Sequence, residues 1–137
     1  MMREAKAWYE MAVMDLGVAK HLDKTYYPKP IEIICYHCQQ AAEKAIKALI
    51  MYYGAEGGVP KLHDLSFLLN QIKNKVSIED KYYDYADTLT PYGVAIRYPN
   101  ELFLGEEHTK IAIQYASEII EWVSVNLTET SQKTDID

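Results

Sequence analysis

The sequence has no apolar run approaching the roughly 18 residues that a membrane-spanning helix needs, so no membrane association is expected. It opens on an amphipathic pattern rather than an apolar signal core, which predicts no secretory leader. Cysteine is scarce, with two among 137 residues. Cys35 and Cys38 lie three apart in a helical pattern, and a bridge within one helix would constrain almost nothing. Both are read as reduced, which places the chain in the cytoplasm. Several motifs are also missing. No glycine-rich run precedes a Lys-Ser or Lys-Thr pair, and there is no dinucleotide-binding glycine pattern, paired-histidine helix, zinc finger or calcium loop. No metal and no cofactor is expected. Positive charge is in deficit as well: the net charge is −6, which disfavours general attraction to duplex nucleic acid.

Tyrosine is abundant. There are 12, against two Phe and two Trp. Its ring buries area while its hydroxyl still needs a partner, which suits half-wet cores and interfaces and favours oligomerisation. A chain of this length forms one domain and buries roughly two thirds of its unfolded surface.

Helical periodicity dominates. Trp8, Met11, Ala12, Asp15, Leu16, Ala19 and Leu22 recur at three and four, predicting a helix over 3–21. Gly17 either weakens it or lets a neighbour approach. Two prolines in 24–30 end it. Ile34, Cys38, Ala41, Ala42, Ala45, Leu49 and Tyr52 predict a second helix over 31–53, whose alanines permit close packing. Glu43 and Lys47 are expected to pair at i,i+4 on its outward surface. Gly54, Gly57, Gly58 and Pro60 mark a loop. A third helix opens near His63 or Asp64, with Asp64 as cap or first-turn residue, and runs to Ile72. Ser77 to Asp80 resembles a capping box that starts a fourth, with Pro91 as its kink or stop. The last helix runs over 106–126, with Ala112, Tyr115, Ala116, Ile119, Trp122 and Val123 on one face, broadened by Ile111 and Ile120. The expected fold is all-α: an up-and-down antiparallel helical bundle of four main helices plus a short helix, over residues 1–127. Residues 128–137 are polar, lack periodicity and are expected to form a flexible tail.

Four places could carry chemistry. Cys35, His37 and Cys38 invite a metal, but zinc needs four converging ligands and no second cluster supplies them, so the cysteines are read as core residues. His63 with Asp64 is either a cap beside a packed or surface histidine, or a polar site at the mouth of the bundle. Arg97, Tyr98 and Asn100 surround Pro99. The arginine offers a rigid fork for phosphate, or else pairs with an acidic neighbour. His108, near the start of the last helix, is held neutral by the helix dipole and is a surface residue or a candidate acid or base.

The segments order themselves in a recognisable way. Cys38, Gln39, Gln40, Glu43, Lys44, Lys47 and Ala48 fall in the second helix; Pro60, His63, Asp64 and Leu65 follow, and then Arg97, Tyr98 and Pro99. With Ala12, Asp15, Leu16 and Ala19 before them, this order resembles the HEPN family (higher eukaryotes and prokaryotes nucleotide-binding) over 3–126. The resemblance implies a helical bundle that often forms homodimers and often pairs with a minimal nucleotidyltransferase. Some members are metal-independent ribonucleases whose site is an arginine and a histidine separated by four to six residues. In this sequence the first histidine after Arg97 is His108, eleven positions on. On a continuous helix that is roughly 16 Å of rise, and Pro99 interrupts it.

Three functions follow as expectations. The first is a non-catalytic protein of a toxin–antitoxin-like module that binds nucleotide or RNA phosphate through Arg97, Tyr98, Asn100, His63 and Asp64, or partners a minimal nucleotidyltransferase. The second is a metal-independent ribonuclease with His63 or His108 as acid or base. The third is a purely structural or protein-interaction domain.

Overall fold

The computed structural model describes residues 3–54, 58–94 and 104–136, with side chains through 127. It contains α1 (Arg3–Thr25), α2 (Ile31–Tyr52), α3 (Leu65–Asn70), α4 (Asp80–Leu89), a 3₁₀ turn (Thr90–Gly93) and α5 (Glu106–Ile136). No strand occurs among the described residues. The architecture is the expected all-α bundle.

α2 is its centre and packs against α1, α5, α3, α4 and the 3₁₀ turn. The reason is its composition. Ile34, Cys35, Cys38, Ala41, Ala42, Ala45, Ile46, Ala48, Leu49 and Ile50 are all buried, which is more than a single stripe. Ala12 and Ala19 of α1 and Ala112 and Ala116 of α5 are fully buried as well. Such small side chains let axes approach to about 8 Å. Leu65, Leu68, Leu69 and Ile72 close one end. Each fully buried Leu or Ile contributes about 1.5–3 kcal/mol relative to exposure. The tyrosines stitch α4 to α5: Tyr82 stacks on Trp122 at 4.9 Å and Tyr85 on Tyr115 at 4.0 Å.

The structure departs from the pattern in particular places. Met11 is 47% exposed and Ile111 39%, because α1 and α5 each meet α2 along a narrower strip than their apolar periodicity covers. Ser77 does not cap α4, which starts at Asp80 after Glu79. α5 continues to Ile136, beyond the expected end at 126. Pro91 lies in the 3₁₀ turn that ends α4, where its missing N–H costs least. Gly54 follows the C-cap of α2 with φ +62°, the left-handed conformation that commonly ends a helix.

Gly17 admits no close neighbour; a β-carbon there would meet nothing within 4 Å. Gly17→Ala is therefore expected to stabilise the fold by about 0.5–1 kcal/mol, read as a raised melting temperature. No helix among the described residues is long and apolar enough to cross a membrane.

Candidate functional site

Gln39, Glu43 and Lys47 lie four apart on α2 and form one ridge. All three are buried: Gln39 is 0% exposed, Glu43 4% and Lys47 5%. The expected outward Glu43–Lys47 pair is thus corrected. The pair exists, with Lys47 Nζ 2.9 Å from Glu43 Oε2, but it faces inward. A central helix has neighbours on most sides. Trp8 of α1, whose ring centroid lies 5.7 Å from Lys47 Nζ, and the His63 segment cover this face.

Glu43 is the hub. Its Oε1 accepts from Gln39 Nε2 at 3.0 Å and lies 2.9 Å from His63 Nδ1. Burial alone would push its carboxyl up. The hydrogen bonds from Gln39, Lys47 and His63, with the Lys47 charge, outweigh burial and hold it below its ordinary value. An ionised carboxylate only accepts hydrogen bonds, so the His63 proton facing it sits on Nδ1. The His63 side chain is 69% exposed, which leaves its Nε2 edge to solvent. The dyad therefore presents one oriented imidazole nitrogen outward.

The segment bearing His63 is fastened from both sides. Gln39 Nε2 also donates to the His63 carbonyl at 3.3 Å. Asp64 caps α3, its side chain accepting from Phe67 N–H at 3.2 Å. Leu65 N–H donates to Thr90 Oγ1 at 3.1 Å, tying α3 to the 3₁₀ turn. Gly93 lies against Gln39 so closely that a β-carbon would come within 2.7 Å of the Gln39 amide carbon. Asp64→Ala is expected to cost about 1 kcal/mol, measured by chemical denaturation, and to loosen His63 along with α3.

A second polar cluster spans α1 and α2. Asp15 Oδ1 lies 3.0 Å from His37 Nδ1, and Asp15 Oδ2 accepts from Lys44 Nζ at 2.6 Å. His37 is thus engaged with a carboxylate rather than with the cysteines. Cys35 and Cys38 are buried free thiols. Burial, with a contribution from Glu32, pushes Cys35 up to about 12, and burial pushes Cys38 up further, so neither is a ready thiolate. Among the described residues, no group of three or more His, Cys, Asp or Glu is placed to hold a metal.

His108 does not join the dyad among the described residues. His108 Nδ1 accepts from Gly105 N–H at 2.9 Å and lies 3.3 Å from Glu107 Oε1. An Nδ1 that accepts from a backbone N–H cannot also donate to a carboxylate, and the shorter contact to Gly105 fits the neutral ring. No contact among the described residues links His108 to His63. Arg97, Tyr98 and Asn100 lie outside the described residues. The sequence reading missed the buried triad of Gln39, Glu43 and Lys47. Its signal was present: three polar residues spaced by four on an otherwise apolar helix. Asp15, on the apolar side of α1, was a similar signal for the second cluster.

The described residues form a small all-α bundle with a polar hub on its central helix that holds one exposed imidazole. The HEPN domain family model matches residues 5–127, and the chain belongs to that family. A candidate toxin of Methanocaldococcus jannaschii, MJ1304, is 33% identical over 107 residues, covering 72% of this chain and 66% of that protein. Two solved structures share the fold. The protein TT1696 of Thermus thermophilus superposes with a TM-score of 0.77 at 23% identity, over 90% of this chain and 98% of the other. ST0689, an archaeal HEPN homologue, gives 0.72 at 24% identity, over 91% and 98%.

Proposed function

We propose that this HEPN protein belongs to a toxin–antitoxin-like module and binds the phosphate of a nucleotide or of RNA at His63, as a homodimer that pairs with a minimal nucleotidyltransferase. The observation that carries this reading is the Glu43–His63 dyad, which turns a single imidazole edge toward solvent, where the imidazolium form, with Nδ1–H on the carboxylate, donates Nε2–H to a phosphate oxygen. Arg97 supports it. It lies four positions after Gly93, which packs on Gln39 of the hub. A guanidinium offers a rigid fork for phosphate. The relation to a candidate toxin supports the module.

Calorimetric titration with AMP and with a short single-stranded RNA tests the reading. Binding is expected, and His63→Ala and Arg97→Ala are each expected to weaken it at least about tenfold, or 1.4 kcal/mol. Absence of binding to both ligands would overturn it. Co-purification with a co-expressed minimal nucleotidyltransferase tests the partner.

One observation favours a second reading. A carboxylate that orients an imidazole is also the arrangement of a general acid or base. As a ribonuclease, the protein would cleave RNA in the presence of a chelator, and His63→Ala would abolish cleavage. Intact RNA after long incubation with the dimer would end this alternative.

A further inference from the structure

α4 and α5 meet along a groove of about 300 Å³ lined by Lys81, Tyr82, Glu118, Glu121, Trp122 and Val125. None of these residues belongs to the Glu43 hub. On α5, Glu118 stands one turn before Trp122, and Glu121 one turn before Val125. Tyr82 of α4 stacks on Trp122 at 4.9 Å, which builds an aromatic wall between the two helices. Lys81 Nζ lies 5.2 Å from the centroid of the Tyr82 ring, so this wall already receives one cation.

The two carboxylates of α5 differ in their engagement. Glu118 Oε1 accepts from the Tyr85 hydroxyl at 3.0 Å and lies 3.7 Å from Lys81 Nζ, while Oε2 accepts from Gln114 Nε2 at 3.2 Å. Glu121 is exposed and makes no hydrogen bond or ion pair among the described residues. Burial pushes the Tyr82 hydroxyl up, and Glu79, Glu118 and Glu121 push it further against the opposing charge of Lys81. Three carboxylates and a single lysine thus surround the aromatic wall.

We propose that the α4–α5 groove docks a basic, arginine-bearing segment of a partner protein, with a guanidinium lying against Trp122 and pairing with Glu121. The inference is independent of the phosphate reading of His63.

Charge complementarity selects a cation, and the wall selects arginine over lysine. A guanidinium is planar and weakly hydrated, so it lies on an aromatic ring while its N–H groups reach a carboxylate. The volume falls at the lower end of the range for ligand pockets, which suits one side chain rather than a whole helix. A peptide segment fits better than free arginine, whose own carboxylate would meet Glu118 and Glu121. Val125, 47% exposed, offers an apolar shelf to a neighbouring residue of the segment.

The test is an NMR titration of the full chain with an acetylated and amidated Gly-Arg-Gly-Ser-Arg-Gly peptide. Binding is expected to move the indole N–H signal of Trp122 and leave that of Trp8, the other of the two tryptophans, in place. Glu121→Gln should weaken binding about threefold, the scale of an exposed ion pair. Trp122→Leu should weaken it about fivefold through loss of the cation–π contact, and the exposed Glu121 supplies a variant that leaves packing intact. The same peptide with lysine in place of arginine should bind about threefold more weakly, and with neutral citrulline it should not bind. Agmatine, a guanidinium without a peptide, should bind more weakly than the arginine peptide. A stationary Trp122 signal, an affinity unchanged by Glu121→Gln, or equal binding of the lysine or citrulline peptide would overturn the proposal. Agmatine binding as tightly as the peptide would overturn the docking of a protein segment.

Discussion

Glu43→Ala is expected to lower the unfolding free energy by about 3–5 kcal/mol, the usual cost of removing one partner of a buried ion pair. Three donors converge on this carboxylate, from Gln39, Lys47 and His63. The gravest consequence falls on Lys47, whose ammonium would be left 5% exposed without its carboxylate. The Trp8 ring at 5.7 Å offers it only a weak substitute. A double variant, Glu43→Leu with Lys47→Met, removes both charges and fills the space, and is expected to keep more stability than Glu43→Ala alone. Chemical denaturation of the three proteins decides whether the stranded charge or the lost volume dominates.

The same group makes a pH prediction. The folded protein holds the Glu43 carboxyl below its unfolded value. Its contribution is therefore complete above the unfolded pKa, near 4.3 for an ordinary glutamate. It is lost as pH falls through the lower folded value. The stability gap between the native protein and Glu43→Gln should accordingly be widest near neutral pH and shrink in acid. A gap that does not change with pH would mean that Glu43 is not the ionised hub.

Gly93→Ala is expected to cost about 2 kcal/mol, the scale of one stranded buried polar group, for reasons of space rather than backbone conformation. Among the described residues the glycines with positive φ are Gly54 and Gly58, and Gly93 is not one of them. An added β-carbon would stand 2.7 Å from the amide carbon of Gln39. That amide is the end of a movable side chain, so the clash alone would be cheap. It is not free to move, however: it is fully buried, donates to Glu43 and the His63 carbonyl, and accepts from Gln40. Displacing it strands buried polar groups at about 1–3 kcal/mol each. In a Gln39→Ala background the methyl has room, so Gly93→Ala should cost little there. A coupling of at least about 1 kcal/mol in the double-mutant cycle is the expected result. Simple additivity would show that Gly93 and the hub are independent.

Much of the fold was legible because helices announce themselves locally. The spacing of Ile34, Cys38, Ala41, Ala45 and Leu49 marks α2, and the prolines before Ile31 mark its start. Asp64 declared itself as a cap, and Pro91 as a stop. Other positions were misplaced because facing depends on neighbours distant in sequence. Met11 follows the apolar period of α1 yet lies at its outer edge. Glu43 and Lys47 read as a solvated pair because both are charged and lie off the apolar stripe, yet Trp8 and the His63 segment cover them.

The site divides along the same line. His63 and Asp64 stand out in sequence as an isolated histidine beside a helix start, but nothing local says what the imidazole faces. That His63 is held by Glu43 depends on a contact between residues twenty apart. That His37 is held by Asp15 depends on one between residues twenty-two apart.

Local sequence was enough to specify an all-α bundle and its helix-forming segments, because backbone hydrogen bonding and apolar period are properties of nearby residues. Packing in three dimensions was needed to turn the charged ridge of α2 inward and to tie two imidazoles each to a carboxylate. Those facts depend on which helix becomes the centre, and that is settled when the helices pack.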